Sequence, residues 1–357
     1  MSQCEPADLA ECKWTNTLWS TLPIGLLVIG TFGNLLNVVV LSRSRLRKSS
    51  TSVYLVCLAF GDCVFLWTGM GPRILLQGFG MDIKVKSDVL CKVLTWLPVT
   101  AAGYSIWTLV VMTFERVMLT KWPLAARSRM STRTSRVTAI VVLALCVSLT
   151  GHGLIAAKVR TSQVTNVNIT SSITKCTYTY GESDTFYRKV WPVIVLIVLN
   201  IVPMALIVVG NLTIALALIT QRRKLRRINP ATRNQHKIFP NKVKSVTKML
   251  FLVSGMFIVT SLPFAVGNVI MSNQKSESLT DKARQLLVYS ILRNVMYCNF
   301  TFNFVLYFVC GRIFKHEWTY LMEDLKGILL NMFHRIATRV EIATTHTLST
   351  NPSNKPI

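Results

Sequence analysis

Cys91-Lys92-Val93-Leu94-Thr95-Trp96 opens a stretch that runs through apolar residues to Met112-Thr113-Phe114-Glu115-Arg116-Val117 and closes with Lys121-Trp122-Pro123. No side chain between Lys92 and Glu115 is charged. At about 1.5 Å per residue, a helix of that length crosses the roughly 30 Å of hydrocarbon in a bilayer. A cysteine then sits at one membrane face and an adjacent acid and base at the other. Taken alone, Glu115-Arg116 reads as a snorkelling helix end. The rest of the chain gives it a more specific role.

The chain has 357 residues, of which 51% are apolar, and its mean hydropathy is +0.43. That is too apolar for an ordinary soluble domain, and the apolar residues come in blocks. A net charge of +25 raises the question of nucleic acid. The basic residues fall mainly between the apolar blocks, however, which is the pattern of loops facing an anionic inner leaflet. Nucleic-acid binding is excluded on that ground. Met1 to Trp14 has acids and cysteines but no apolar h-region, so we expect no cleavable signal peptide and a first span that inserts itself.

Length and low charge mark seven spans, at 18–41, 52–77, 91–120, 134–157, 187–219, 244–271 and 283–308. Arg43, Arg45, Arg47 and Lys48 follow the first. Arg127, Arg129, Arg133 and Arg136 separate the third from the fourth, and a basic run from Arg222 to Lys248 separates the fifth from the sixth. The opposite loops carry Asp82, Asp88, Glu182, Asp184, Glu277 and Asp281. The positive-inside rule therefore predicts an extracellular N-terminus, a cytoplasmic C-terminus and a multi-pass protein of the plasma membrane.

The expected architecture is all-α: an extracellular segment 1–17, a seven-transmembrane helix bundle at 18–310, a short amphipathic eighth helix at 311–330 and a disordered cytoplasmic tail at 331–357. Ile313, Phe314, Trp318 and Leu321 can share one face of that eighth helix, on the inner leaflet. The tail is rich in Ser and Thr and open to phosphorylation.

Cysteines separate the two faces. Cys57, Cys63, Cys146, Cys298 and Cys310 lie in or beside spans and read as packed thiols. Cys91 and Cys176 fall on the predicted outer side, where oxidation is permitted, so a disulfide between them is expected to pin the outer loop over the bundle mouth. Cys4 and Cys12 are available for a second bridge whose partners the sequence does not choose. Asn168-Ile169-Thr170 is a glycosylation signal in the same outer loop.

Polar residues inside spans are costly and default to function. Asp62 sits mid-span, and Asn34, Ser105, Asn299 and Asn303 are further buried-type hydrogen-bonding groups. They either hold a monovalent cation or form a network that fixes helix packing. Arg73 and Arg293 lie nearer the outer ends, where they snorkel or receive a ligand's carbonyl or carboxylate.

Across all seven spans the chain resembles a rhodopsin-like (class A) G-protein-coupled receptor. The residues that carry the resemblance are Gly33-Asn34, Leu58-Ala59-Phe60-Gly61-Asp62, Cys91, Glu115-Arg116-Val117 in place of Asp-Arg-Tyr, Pro203, Pro263 and Asn303-Phe304-Val305-Leu306-Tyr307 in place of Asn-Pro-x-x-Tyr. The resemblance implies a sodium pocket at Asn34, Asp62, Ser105, Asn299 and Asn303, an allosteric sodium ion being the one cofactor. It implies a connector at Ile106, Pro203 and Phe257. It also implies a switch at Glu115, Arg116 and Tyr307, with Arg116 held by Glu115 at rest and released to a heterotrimeric G protein. Arrestin at the Ser/Thr-rich tail is a further implied partner.

The chain also departs from the pattern. Thr260-Ser261-Leu262-Pro263 lacks the toggle tryptophan, Asn211 stands where a tyrosine is expected, and Phe304 replaces a kink-forming proline. Pro98 occupies the position where amine receptors carry an aspartate, and Tyr297 the position of the opsin lysine. These exclude a biogenic amine and retinal.

The remaining ligand candidates are Arg73, Trp96, Phe264, Tyr289, Arg293 and Tyr297. They suit a peptide whose C-terminal amide or carboxylate enters the bundle. The overall look is similar to neuropeptide receptors of the FMRFamide and thyrotropin-releasing-hormone type. The alternatives are an orphan or atypically signalling receptor for a non-peptide ligand, and a membrane transporter. The repeat symmetry and broken helices of many transporters are not evident. Enzyme signatures are lacking; Gly151-His152-Gly153-Leu154-Ile155-Ala156 fits a dinucleotide fingerprint but lies inside a span with no preceding strand.

Overall fold

A computed structural model describes residues 9–43, 46–166, 169–178, 186–226, 241–274 and 278–349. Among them, six helices are long and apolar enough to cross a bilayer: Ala10–Leu41, Ser50–Phe79, Asp88–Lys121, Thr132–Ala156, Trp191–Thr220 and Phe251–Met271. The seventh is Leu279–Thr301, continued after a break at Phe302 by Asn303–Cys310. It is the most polar because its inward face carries Asn294, Asn299 and Asn303, all buried. The result is an all-α seven-helix bundle.

Local chemistry sets the ends. The third helix starts at Ser87, whose Oγ accepts from the Leu90 amide at 3.1 Å. Ser131 and Ser278 cap the fourth and seventh helices in the same way, at 3.1 and 3.0 Å. The second helix stops at Gly80, whose φ of 68° lets the Met81 amide reach back to Leu75 O at 2.9 Å. The seventh helix breaks without a proline: Phe302 sits at φ −94° and ψ 10°.

The first helix begins at Ala10, not at 18. Two contacts hold this extra length against the seventh: Cys12 packs with Ala283, and Trp19 Nε1 donates to Ser290 Oγ at 2.8 Å. The last helix, Arg312–Ser349, runs well past 330. The expected tail is therefore helical as far as Ser349, and 350–357 lie outside the described residues. The apolar period explains the extension. Leu325, Ile328, Leu329, Met332 and Phe333 continue one stripe at helical spacing, all exposed. Near its start this helix is docked by Phe314, in edge contact with Tyr307, and by Glu317 and Asp324, which pair with Arg43 at 3.5 and 2.7 Å.

The core has two storeys. One contains Tyr54, Leu58, Ile106, Leu109, Met112, Ile207, Val253, Phe257 and Tyr307; the other contains Trp19, Phe65, Leu66, Met70, Tyr297 and Phe300. Large apolar side chains such as Phe60, Ile140, Val209 and Val259 point outward along the spans, as surfaces immersed in lipid do.

Between the fourth and fifth helices lies a hairpin of two antiparallel strands, β1 (Ala157–Asn166) and β2 (Ile169–Tyr178). Val159 pairs with Cys176. Cys176 is disulfide-bonded to Cys91, their Cα atoms 5.6 Å apart, and Asp88 Oδ1 accepts from the Val159 amide at 2.8 Å. Both strands are thereby fastened to the start of the third helix. Cys57, Cys63, Cys146 and Cys298 are free thiols, and Cys12 is disulfide-bonded. Cys4 and the glycosylation candidate Asn168 lie outside the described residues.

Candidate functional site

Three polar sites are stacked along the bundle. At the basic-loop end, Glu115 and Arg116 are both buried. Glu115 Oε1 accepts from Tyr54 Oη at 2.9 Å and Oε2 from Ser50 Oγ at 3.0 Å. Arg116 donates to Thr51 Oγ1. Among the described residues the ion pairs are those of Arg43, and Glu115 with Arg116 is not one of them. The expectation that Glu115 holds Arg116 is corrected: adjacent residues on a helix point in different directions, and each finds its own partner on the second helix. Tyr307 is buried here with its hydroxyl unpartnered.

In mid-bundle, Asp62 Oδ1 accepts from Ser105 Oγ at 2.8 Å and Oδ2 from Asn303 Nδ2 at 2.5 Å. Gly61 makes this approach sterically feasible, since a Cβ there would lie 2.9 Å from Ser105 Oγ. The three groups border a cavity of about 20 Å³ that Asn299 also lines, room for about one water or one small ion. Asn34 does not reach it. Its amide spans the backbone of two helices instead, donating to Gly30 O and Phe300 O at 2.9 Å each.

Towards the hairpin lies a larger, mostly apolar cavity of about 160 Å³, lined by Phe65, Pro98, Leu199, Phe264, Asn268 and Arg293 among others. Ala102, Ile106, Phe257 and Phe300 line both cavities and so form the partition between them. Pro203, the third expected connector residue, is buried in the fifth helix and lines neither.

The ligand candidates are only partly gathered. Arg293 and Phe264 line the larger cavity. Arg73 stands behind, joined to Arg293 through Tyr289: Arg293 and Arg73 both donate to its hydroxyl, Arg73 at 3.4 Å. The Arg73 guanidinium also lies 5.8 Å from the Trp19 ring, and that of Arg293 lies 5.2 Å from Phe264. Tyr297 donates to Gly69 O at 3.2 Å. Trp96 is set apart under the hairpin, near Gly153.

Two groups escaped the sequence reading. Lys84, in the short loop after the second helix, is coupled to both arginines. Burial, then Arg73 and Arg293, push its ammonium down to about 8, with Asp82 acting the other way. The second is an aromatic cluster beneath the hairpin. Tyr178 and Tyr187 stack at 4.4 Å, His152 Nδ1 lies 3.1 Å from Tyr187 Oη, and His152 meets Trp191 edge-on at 4.2 Å. Burial, then Tyr187, raises the Tyr178 phenol to about 12. The sequence carried no periodic signal for either group, because a loop, a hairpin and the ends of two helices meet only in three dimensions.

The sequence profile of the 7 transmembrane receptor (rhodopsin family) matches residues 33–307, most of the chain and all three polar sites. The chain belongs to that family. Its relatives include the growth hormone secretagogue receptor type 1 of Mustela putorius furo, 25% identical over 295 residues, which is 81% of this chain and 73% of that receptor. The Homo sapiens form of the same receptor is 24% identical over 295 residues, with the same coverage. The Homo sapiens C-C chemokine receptor type 1 is 29% identical over 136 residues, 37% of this chain and 36% of that receptor. The protein is thus a multi-pass receptor of the plasma membrane, in a family of signalling receptors and not of enzymes.

Proposed function

We propose that this receptor binds an extracellular peptide in the larger cavity and activates a heterotrimeric G protein through Arg116. The supporting observation is the partition formed by Ala102, Ile106, Phe257 and Phe300, which separates that cavity from the Asp62 cluster. Because Phe257 lies on the sixth helix, a ligand that displaces it couples an outer contact to the inner half of the bundle. The receptor needs no toggle tryptophan for this; Phe257 supplies the aromatic bulk, and Ser261 one turn on lines the ligand cavity. The names of the growth hormone secretagogue and chemokine receptors support a peptide ligand, and the basic loops support an extracellular N-terminus.

At rest, Asp62 with Ser105, Asn299 and Asn303 suits a sodium ion. The cavity is of the right size, and Asn303 Oδ1 is a buried acceptor with no partner. Such an ion supplies positive charge that neutralises Asp62 and favours the packed state. Activation then requires Arg116 to leave Thr51 and present its guanidinium to the G protein, and the Ser/Thr-rich tail is the part suited to arrestin.

The reading is tested in cells expressing the receptor with a panel of G-protein reporters, challenged with peptide pools. Activation by a peptide that is lost in Arg293→Ala, by at least about tenfold in potency or 1.4 kcal/mol, supports it. Transport of a solute by purified receptor in vesicles would overturn it.

A further inference from the structure

The outer polar site has an unbalanced charge. Arg73 and Arg293 are half-buried, on the second and seventh helices, and both act electrostatically on Lys84. Among the described residues no carboxylate oxygen lies within 4.0 Å of either guanidinium. Among the described residues Asp82 is the one carboxylate that acts on Arg73 and Lys84, and the phenols of Tyr289 and Tyr297 are the other groups that face the two arginines. Cations partly withdrawn from water without a countercharge are costly, and proteins rarely keep them without a use.

The hydrogen-bonding chemistry points the same way. The acceptor shared by both guanidiniums is the Tyr289 oxygen, a phenol and not a carboxylate. Arg293 Nε is buried with no partner, and Arg293 lines the larger cavity. The charged groups offered here, the guanidiniums, only donate. A carboxylate, which only accepts, satisfies them and supplies the missing charge; a primary amide neutralises nothing and adds two more donors.

Resting on the reading that this cavity is the ligand site, we propose that its ligand carries a free carboxylate, the unamidated C-terminus of a peptide, which is received by Arg293 and by Arg73, joined to it through Tyr289. Of the two end groups compatible with the sequence, the structure selects the acid over the amide.

The test uses the purified full-length receptor in lipid nanodiscs and two matched probes, N-acetylphenylalanine and its amide. Thermal melting at increasing probe concentration gives an apparent dissociation constant for each. The acid is expected to stabilise the receptor with a constant about tenfold or more below that of the amide. Its effect should vanish in Arg73→Gln and Arg293→Gln and be partly kept in Arg293→Lys, which retains charge but loses the fork. An amide that stabilises as well as the acid, an acid with no effect on the parent receptor, or an acid effect surviving in both Gln variants overturns the proposal. Peptide pools made in both end forms separate this from the parent reading. Activation by amidated peptides with weaker acids would sink this proposal and leave the peptide-receptor reading standing. Silence from both pools with stabilisation by the acid would do the reverse.

Discussion

Tyr54 Oη donates to Glu115 Oε1 at 2.9 Å, and this contact ties the second helix to the third where an Arg116–Glu115 pair was expected. The acid and the base of the Glu115-Arg116 motif are restrained separately, Glu115 by Ser50 and Tyr54 and Arg116 by Thr51. On the function proposed above, release of Arg116 breaks its hydrogen bond to Thr51 and has no Glu115 ion pair to break.

Tyr54→Phe is expected to lower the melting temperature of the resting receptor, since a buried carboxylate loses a donor at a cost of about 1–3 kcal/mol. It should also raise basal nucleotide exchange on the G protein, because the second and third helices lose a tie. Unchanged basal exchange in a normally expressed Tyr54→Phe receptor would show that the contact is packing alone.

Asp62→Asn keeps the shape of the mid-bundle cluster and removes its charge. Agonist affinity of the parent should fall as sodium is added, and that of Asp62→Asn should not respond. A parent receptor indifferent to sodium would leave the Asp62–Ser105–Asn303 contacts as a structural network only.

Phe257→Ala opens the partition and leaves a void, which costs about 3–5 kcal/mol for a buried phenylalanine. The variant should melt well below the parent. Phe257→Leu, which keeps much of the volume, should melt near the parent but lose agonist efficacy. Full efficacy in Phe257→Leu would mean the signal passes elsewhere.

Lys84 gives a pH signature. Its folded pKa, about 8, lies below the usual value near 10.4. Between those values the unfolded chain binds more protons than the folded one, so stability rises with pH across that window and is flat below it. The melting temperature of the ligand-free receptor should therefore climb from about pH 8, and Lys84→Met should flatten the climb. An unchanged profile in Lys84→Met would place the titration on another group.

Much of this receptor was legible in its amino-acid order. Runs of apolar residues longer than a bilayer is thick, interrupted by basic loops, leave a chain few options, because a backbone in hydrocarbon must satisfy its own hydrogen bonds. The positions of Asp62, Ser105 and Asn303 could be marked as costly polar residues on that ground alone, and the pairing of Cys91 with Cys176 followed from the side of the membrane each was assigned. The apolar period that carries the last helix past 330 was also present in the sequence, from Leu325, Ile328 and Leu329 to Met332 and Phe333, although the Ser/Thr-rich composition further on obscured it.

Tertiary structure alone decided the partners. Whether Arg116 meets Glu115 or Thr51 depends on which helix faces it, a matter of rotation and register between segments 65 residues apart. Lys84 comes under the influence of Arg73 and Arg293 because its loop folds back over the bundle mouth, and His152 meets Tyr187 because the ends of the fourth and fifth helices lie side by side beneath the hairpin. Hydropathy fixes how deep a side chain lies in the membrane; only packing fixes what it touches there.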